Sequence, residues 1–191
     1  MSLWIHGHNR KVRLRIGIYR TLLSTVALAI SSVTASAETI TVCASGCDYT
    51  SINAAIAVAS DGDVIQLAAE TYFEGEQIDT LGKAITLRGV LDKAGEPASV
   101  LDGAGTHRVL ICERGETNTT SFENLFVQNG SAADYGGGSR NQASSPRFSK
   151  CNFRNNASVF YGGGMYNGNG SSPVVVSCVF LKITAITQAV R

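Results

Sequence analysis

YGGGSRNQASSPRFSKCNF, residues 135–153, returns at residues 161–180 as YGGGMYNGNGSSPVVVSCVF. Tyr135-Gly136-Gly137-Gly138 is answered by Tyr161-Gly162-Gly163-Gly164, Asn141 by Asn167, Ser145-Pro146 by Ser172-Pro173, and Cys151-Asn152-Phe153 by Cys178-Val179-Phe180. The spacing is 26 residues at the glycines and 27 at the cysteines, so one residue is inserted between the two landmarks. A fainter copy precedes both: Asn124-Leu125-Phe126 lies 27 residues before Cys151-Asn152-Phe153, and Asn129 lies 27 before Asn156. Repetition at this period marks supersecondary units that cannot bury their apolar face alone and do so by stacking.

Period-two alternation sorts the faces of each unit. Phe122, Asn124 and Phe126 share one face, with Ser149, Cys151 and Phe153 and then Val176, Cys178 and Phe180 as counterparts. On this alignment Phe126, Phe153 and Phe180 form an interior column, and Glu123 stands over Lys150 on the other face. Equivalent residues of parallel neighbours lie about 4.8 Å apart, which brings Cys151 and Cys178 within disulfide range. A bridge and a buried column of free thiols both satisfy that spacing.

Upstream, Thr39–Val42 reads as a strand, and Thr50 offers an N-cap to a helix with Ile52, Ala55, Ile56 and Ala59 on one side. Asp61-Gly62-Asp63 ends that helix, with Gly62 suited to a left-handed C-cap. In a stack of strands, a short one-sided helix covers the open core of the first layer. Val64–Leu67, Ala84–Leu87, Val100-Leu101 and Val109–Cys112 read as further strands separated by turns. The absence of a helical pattern after each strand argues against βαβ units. The fold class expected is therefore all-β: a parallel β-helix with an N-terminal capping helix, its cap at residues 38–62, coils at 63–180 and an irregular tail at 181–191.

Residues 1–37 read as a secretory leader. Arg10, Lys11, Arg13, Arg15 and Arg20 precede an apolar run from Thr21 to Ile30, and Ala35-Ser36-Ala37 offers a small-residue cleavage site. The apolar run to Val33 is short of the about 20 residues needed to cross a bilayer. Export, an extracellular or cell-surface location, and no transmembrane span after cleavage are the expectations. Removing 37 of 191 residues leaves 154, enough for one domain, and a net charge of +1 less the leader's +5, which is −4. Glu38–Asp134 holds all fifteen acids against five bases, whereas Tyr135–Arg191 holds six bases and no acid. Five cysteines follow the leader, and Cys43 and Cys47 are close enough in sequence for a local bridge. Metal binding is the alternative, and C-x-x-x-C without a matched second pair is a weak zinc signal.

These segments resemble the right-handed parallel β-helix of the pectin-lyase-like class, in secreted bacterial proteins that share polymorphic-outer-membrane-type repeats. The likeness covers Cys43–Arg88, Leu101-Asp102-Gly103 to Arg108, and Phe122–Phe180. The F-x-x-N element of those repeats is matched by Phe126-Val127-Gln128-Asn129 and Phe153-Arg154-Asn155-Asn156. The companion glycine element, usually G-G-A with an aliphatic residue, is matched only in its glycines at Gly137-Gly138 and Gly163-Gly164. The resemblance implies a stacked asparagine that bonds the turn backbone, a role that falls to Asn129 and Asn156. Ile183 stands where a third is expected, and Leu181–Arg191 carries no repeat feature, as in a truncated relative of longer arrays. An open last layer of this kind implies marginal stability.

Chains of this resemblance include polysaccharide lyases and glycoside hydrolases, so catalysis is the competing reading. Hydrolysis requires two carboxylates about 5–9.5 Å apart, and lyase chemistry a base, commonly with calcium on carboxylates. Glu70, Glu74, Glu76 and Asp79, or Asp102, Glu113 and Glu116, are the acidic candidates, and none forms a recognisable motif. His107, the single histidine after the leader, reads as a turn residue bonded to the backbone. Clustered aspartates with Gly-His-Gly, the calcium nonapeptide and a phosphate loop are all missing. Tyr135, Tyr161 and Tyr166 suit either turn packing or a sugar-stacking shelf, since a phenol pairs an apolar ring with a polar handle. Neither a cofactor, a metal nor a nucleic-acid partner is expected. The expected function is a non-catalytic binding, adhesion or structural module. Its basic repeat residues Arg140, Arg147, Lys150 and Arg154, with Tyr161, would meet an acidic polysaccharide or a cell-surface component.

Overall fold

A computed structural model describes residues 36–185, and all of the proposed leader except Ser36 and Ala37 lies outside them. The chain climbs in six coils. Strand β1 (Thr39–Val42) and helix α1 (Ile52–Val58) make the first. The second holds β2 (Val64–Leu67), β3 (Thr71–Tyr72) and β4 (Ile78–Asp79), and the third β5 (Thr86–Arg88), β6 (Ser99–Asp102) and β7 (Leu110–Cys112). The fourth holds β8 (Ser121–Glu123), β9 (Leu125–Gln128), β10 (Ser131–Ala132) and β11 (Ser139–Gln142). The fifth repeats it with β12 (Arg147–Ser149), β13 (Asn152–Arg154), β14 (Ala157–Ser158) and β15 (Met165–Gly168). The sixth holds β16 (Val174–Val176), β17 (Val179–Leu181) and β18 (Thr184–Ala185).

Each strand pairs in parallel with its counterpart one coil away, giving sheets ordered β1-β2-β5-β8-β12-β16, β3-β6-β9-β13-β17, β4-β7-β11-β15 and β10-β14-β18. The result is a parallel β-solenoid. Strand β18 extends the fourth sheet within the stretch expected to be irregular, because Thr184 and Ala185 pair with Ala157 and Ser158.

The core is a set of columns running along the stack. Phe122 stacks on Phe148 with ring centroids 4.9 Å apart, and Phe153 on Phe180 at 4.7 Å. Phe126 is not in this column. In the ladder Phe126 faces Asn152, while Val127 faces Phe153 and is fully buried. Between the fourth and fifth coils the true offset is 26 residues, not 27, so reading the later spacing backward moved the faint copy by one position. A one-residue slip turns a strand over, and Phe126 points outward under the Arg154 guanidinium, 4.4 Å from its ring centroid. The same slip separates Glu123 from Lys150: Glu123 lies opposite Ser149 and ion-pairs with Arg88 at 2.8 Å. The inserted residue lies in the turn after β15, where Asn169 and Gly170 both adopt positive φ.

The asparagines divide for the same reason. Asn156 is fully buried; its Oδ1 accepts from the Gly130 amide at 2.8 Å and its Nδ2 donates to the Val127 carbonyl at 2.8 Å. Asn129 instead sits at a corner with φ 53°, equivalent to Asn155 at 54°, and its amide donates to Asp102. The role expected of both belongs to Asn156 alone. The asparagines that do stack between coils are Asn141 and Asn167, bonded at 2.8 Å.

Helix α1 is capped by Ser51 rather than Thr50, with Ser51 Oγ accepting from the Ala54 amide. Its exit is an extended Ala59, and Gly62, with φ 96°, serves the following turn into β2. Glu74 accepts from the Ile52 and Asn53 amides at one end, and Lys83 Nζ donates to the Ile56, Ala57 and Ala59 carbonyls at the other. An acid at the amino end and a base at the carboxyl end both complement the helix dipole. Cys43 and Cys47 are joined by a disulfide.

Candidate functional site

The YGGG echoes form the corner between the β10-β14-β18 and β4-β7-β11-β15 sheets, where the chain passes from β10 to β11 and from β14 to β15. Gly137 could not carry a side chain, because a Cβ there would lie 2.0 Å from the Ala157 carbonyl oxygen. Such close passage brings the flanking aromatics of successive coils together. Gly136 donates to the Tyr161 carbonyl and Phe160 to the Asp134 carbonyl, each at 3.0 Å, which ties the two loops edge to edge.

Four rings converge there. Tyr135 lies 4.5 Å from Tyr166, 5.5 Å from Phe160 and 6.0 Å from Tyr161, with the Tyr135 and Tyr161 rings nearly parallel at 13°. Tyr161 is 57% exposed and Phe160 41%, far more than turn packing needs. Tyr166 lies opposite Arg140 in the β11–β15 ladder. The site thus joins Arg140 and Tyr161, both singled out from the sequence, with Phe160, which repeat reading missed because its counterpart position, Asp134, is not aromatic.

Beneath the rings lies a charge network. Arg108 is buried and donates to the Tyr135 and Gly136 carbonyls, to Gln77 Oε1 at 3.0 Å and to Asp134. Arg140 Nη1 reaches the other Asp134 oxygen at 3.2 Å, and Arg140 Nε is buried without a partner among the described residues. Burial, partly offset by Asp134, lowers the Arg108 pKa, and the Arg140 charge acts in the same direction. One carboxylate between two guanidiniums leaves this triad one positive charge in excess.

The remaining basic residues do not join it. Arg147 is on the outer side of β12 in the first sheet, Lys150 at the corner between β12 and β13, and Arg154 on the outer side of β13. A helical wrap distributes neighbours in sequence around the perimeter. Arg154 donates to Gln128 at 2.6 Å, and Gln128 to Asp102 at 2.6 Å, forming a polar row across three coils. Beside that row is an open groove of about 520 Å³ lined by Phe73, Asp102, Asn129 and Asn155.

Five of the seven acidic candidates hold turns, a helix end or an ion pair. Glu70 accepts from the Ala44 amide, Glu74 caps α1, and Asp79 pairs with Arg114. Asp102 accepts from Ala104, Gln128 and Asn129. Glu116, 3% exposed, accepts from Thr80, Gly82, Ser144 and Arg114. Burial opposes its charge, yet the Thr80, Ser144 and backbone hydrogen bonds hold its pKa below the ordinary value. Glu76 and Glu113 stand exposed. His107 Nδ1 lies 2.8 Å from the Arg108 carbonyl, in the turn role its context indicates. Among the described residues no three metal-ligating side chains come together, and no helix is long and apolar enough to cross a membrane. No family model, no curated protein and no solved structure matches this chain.

Proposed function

We propose that the protein is a secreted or cell-surface, non-catalytic binding module that holds an acidic polysaccharide at the tyrosine corner. The observation that carries the reading is the cluster of exposed Phe160 and Tyr161 on half-buried Tyr135 and Tyr166 beside Arg140. Sugar rings present apolar C–H faces that stack on aromatic rings, while phenolic hydroxyls and a guanidinium address their polar edges. The excess positive charge favours uronate or sulfate groups over neutral sugars. The commitment of Glu70, Glu74, Asp79, Asp102 and Glu116 to structural contacts supports binding without turnover.

Affinity electrophoresis against polygalacturonate, alginate and chondroitin sulfate, with xylan as a neutral control, tests the proposal. Acidic polymers are expected to retard the protein, and added salt to weaken the effect. Tyr161→Ala should lower affinity about tenfold, equivalent to about 1.4 kcal/mol. Equal retardation by xylan would remove the acidic assignment. Formation of reducing ends or unsaturated products, abolished by Asp102→Asn or Glu74→Gln, would replace binding with catalysis.

A further inference from the structure

Three cysteines are free among the described residues, and they are not alike. Cys112 is fully buried beside Thr80, and burial pushes its thiol pKa up. Cys151 and Cys178 occupy equivalent corners of the fifth and sixth coils, one residue before the paired Asn152 and Val179. Val179 donates to the Cys151 carbonyl at 3.0 Å, and the Cys151 amide donates to Cys178 Sγ at 3.4 Å. Equivalent Cα atoms of parallel neighbours lie about 4.8 Å apart, inside the about 4.4–6.8 Å span of disulfides. Cys151 is fully buried with its thiol toward the Phe122 carbonyl, whereas Cys178 is half-buried.

We propose that Cys151 and Cys178 form a thiol–disulfide exchange site, in which Cys178 reacts first with a low-molecular-weight disulfide and Cys151 then closes a bond between the fifth and sixth coils. In the first step the Cys178 thiolate attacks one sulfur of the small disulfide, forming a mixed disulfide and releasing one small thiolate. In the second, Cys151 loses its proton to solvent and attacks the Cys178 sulfur, displacing the second small thiolate. The protein pair gives up two electrons and two protons, and the small disulfide is reduced to two thiols. The order follows from access and acidity. Cys178 is the more accessible member, and the neighbouring Cys151 side chain and amide lower its pKa to about 7 against the opposing effect of burial. Cys151 is pushed the other way, by its bond to Cys178 and by burial. The bridge at Cys43–Cys47 shows that the fold already holds one oxidised pair.

The bond would close a loop of one coil and tie down the least buried layer, in which Val175 and Phe180 are each 42% exposed. The test equilibrates the protein with mixtures of reduced and oxidised glutathione, then alkylates it under denaturing conditions and maps the peptides. Alkylatable thiols should fall from three to one, with Cys112 remaining and the Cys151 and Cys178 peptides joined. The melting temperature should rise by roughly 5–15 °C, as expected for closing a loop of this length. Cys151→Ser should trap one glutathione on Cys178, and Cys178→Ser should leave Cys151 unmodified. Three thiols persisting in excess oxidised glutathione, a bond to Cys112, an unresolved adduct on the unaltered protein, or a bond between two copies would each overturn the proposal.

Discussion

Two asparagines read as equivalents turn out to have different work. Asn156 satisfies the buried Gly130 amide and Val127 carbonyl, so truncation leaves both without a partner. Asn156→Ala is expected to cost about 2–4 kcal/mol in urea unfolding, as for two buried polar groups left unpaired. Asn129→Ala should cost less than about 1.5 kcal/mol, because its amide serves one carboxylate that keeps two other donors. Glu116 supplies the pH dependence. Its pKa is below the ordinary value in the fold, so its contribution is whole above that value and is lost as pH falls through the lower, folded one. Unfolding midpoints should therefore fall on acidification below about pH 4.5, the unfolded carboxyl range, and Glu116→Gln should flatten that decline while lowering stability at neutral pH. Asn156 was legible as a turn asparagine because the F-x-x-N element that starts at Phe153 has its Phe in the core and its Asn in the turn. The difference from Asn129 was not, because it hangs on a single residue of offset.

At the scale of elements, the glycines of the echo set how closely coils pass. Gly137→Ala would place a Cβ 2.0 Å from backbone and should abolish the cooperative melt, whereas Gly46→Ala, whose Cβ meets no atom within 4 Å, should cost about 1–2 kcal/mol from its φ of 84° alone. Calorimetry of the two variants separates a packing requirement from a conformational one. Helix α1 was readable because four apolar residues recur at helical spacing, and Val64–Leu67 because it is β-branched and flanked by a turn. Strands β3 and β4 were not, since each is two residues long within an acidic stretch and exists through pairing with the next coil. The tyrosine corner was half legible: the repeats placed Tyr135 and Tyr161 together, but only the fold adds Phe160 and the Arg108–Asp134–Arg140 support.

For the molecule as a whole, stability should decline toward the sixth coil, whose apolar residues Val174, Val175, Val176, Val179, Phe180 and Leu181 are all at least 37% exposed. Hydrogen exchange in the reduced protein should therefore be fastest for β16–β18 and slowest for β5–β9, and the melt should fall below about 65 °C. Uniform protection across all coils would contradict this gradient. The charge asymmetry of the sequence was real, but its spatial meaning was hidden, since Arg147, Lys150, Arg154 and Arg140 follow the chain around three faces. The parallel ladders also set how the protein bears load. Tension along the chain meets one row of bonds per coil, so the solenoid would peel layer by layer and each coil would release about 90 Å of extended chain. A chain wound this way would dissipate a pull by lengthening one coil at a time before the whole fold gives way.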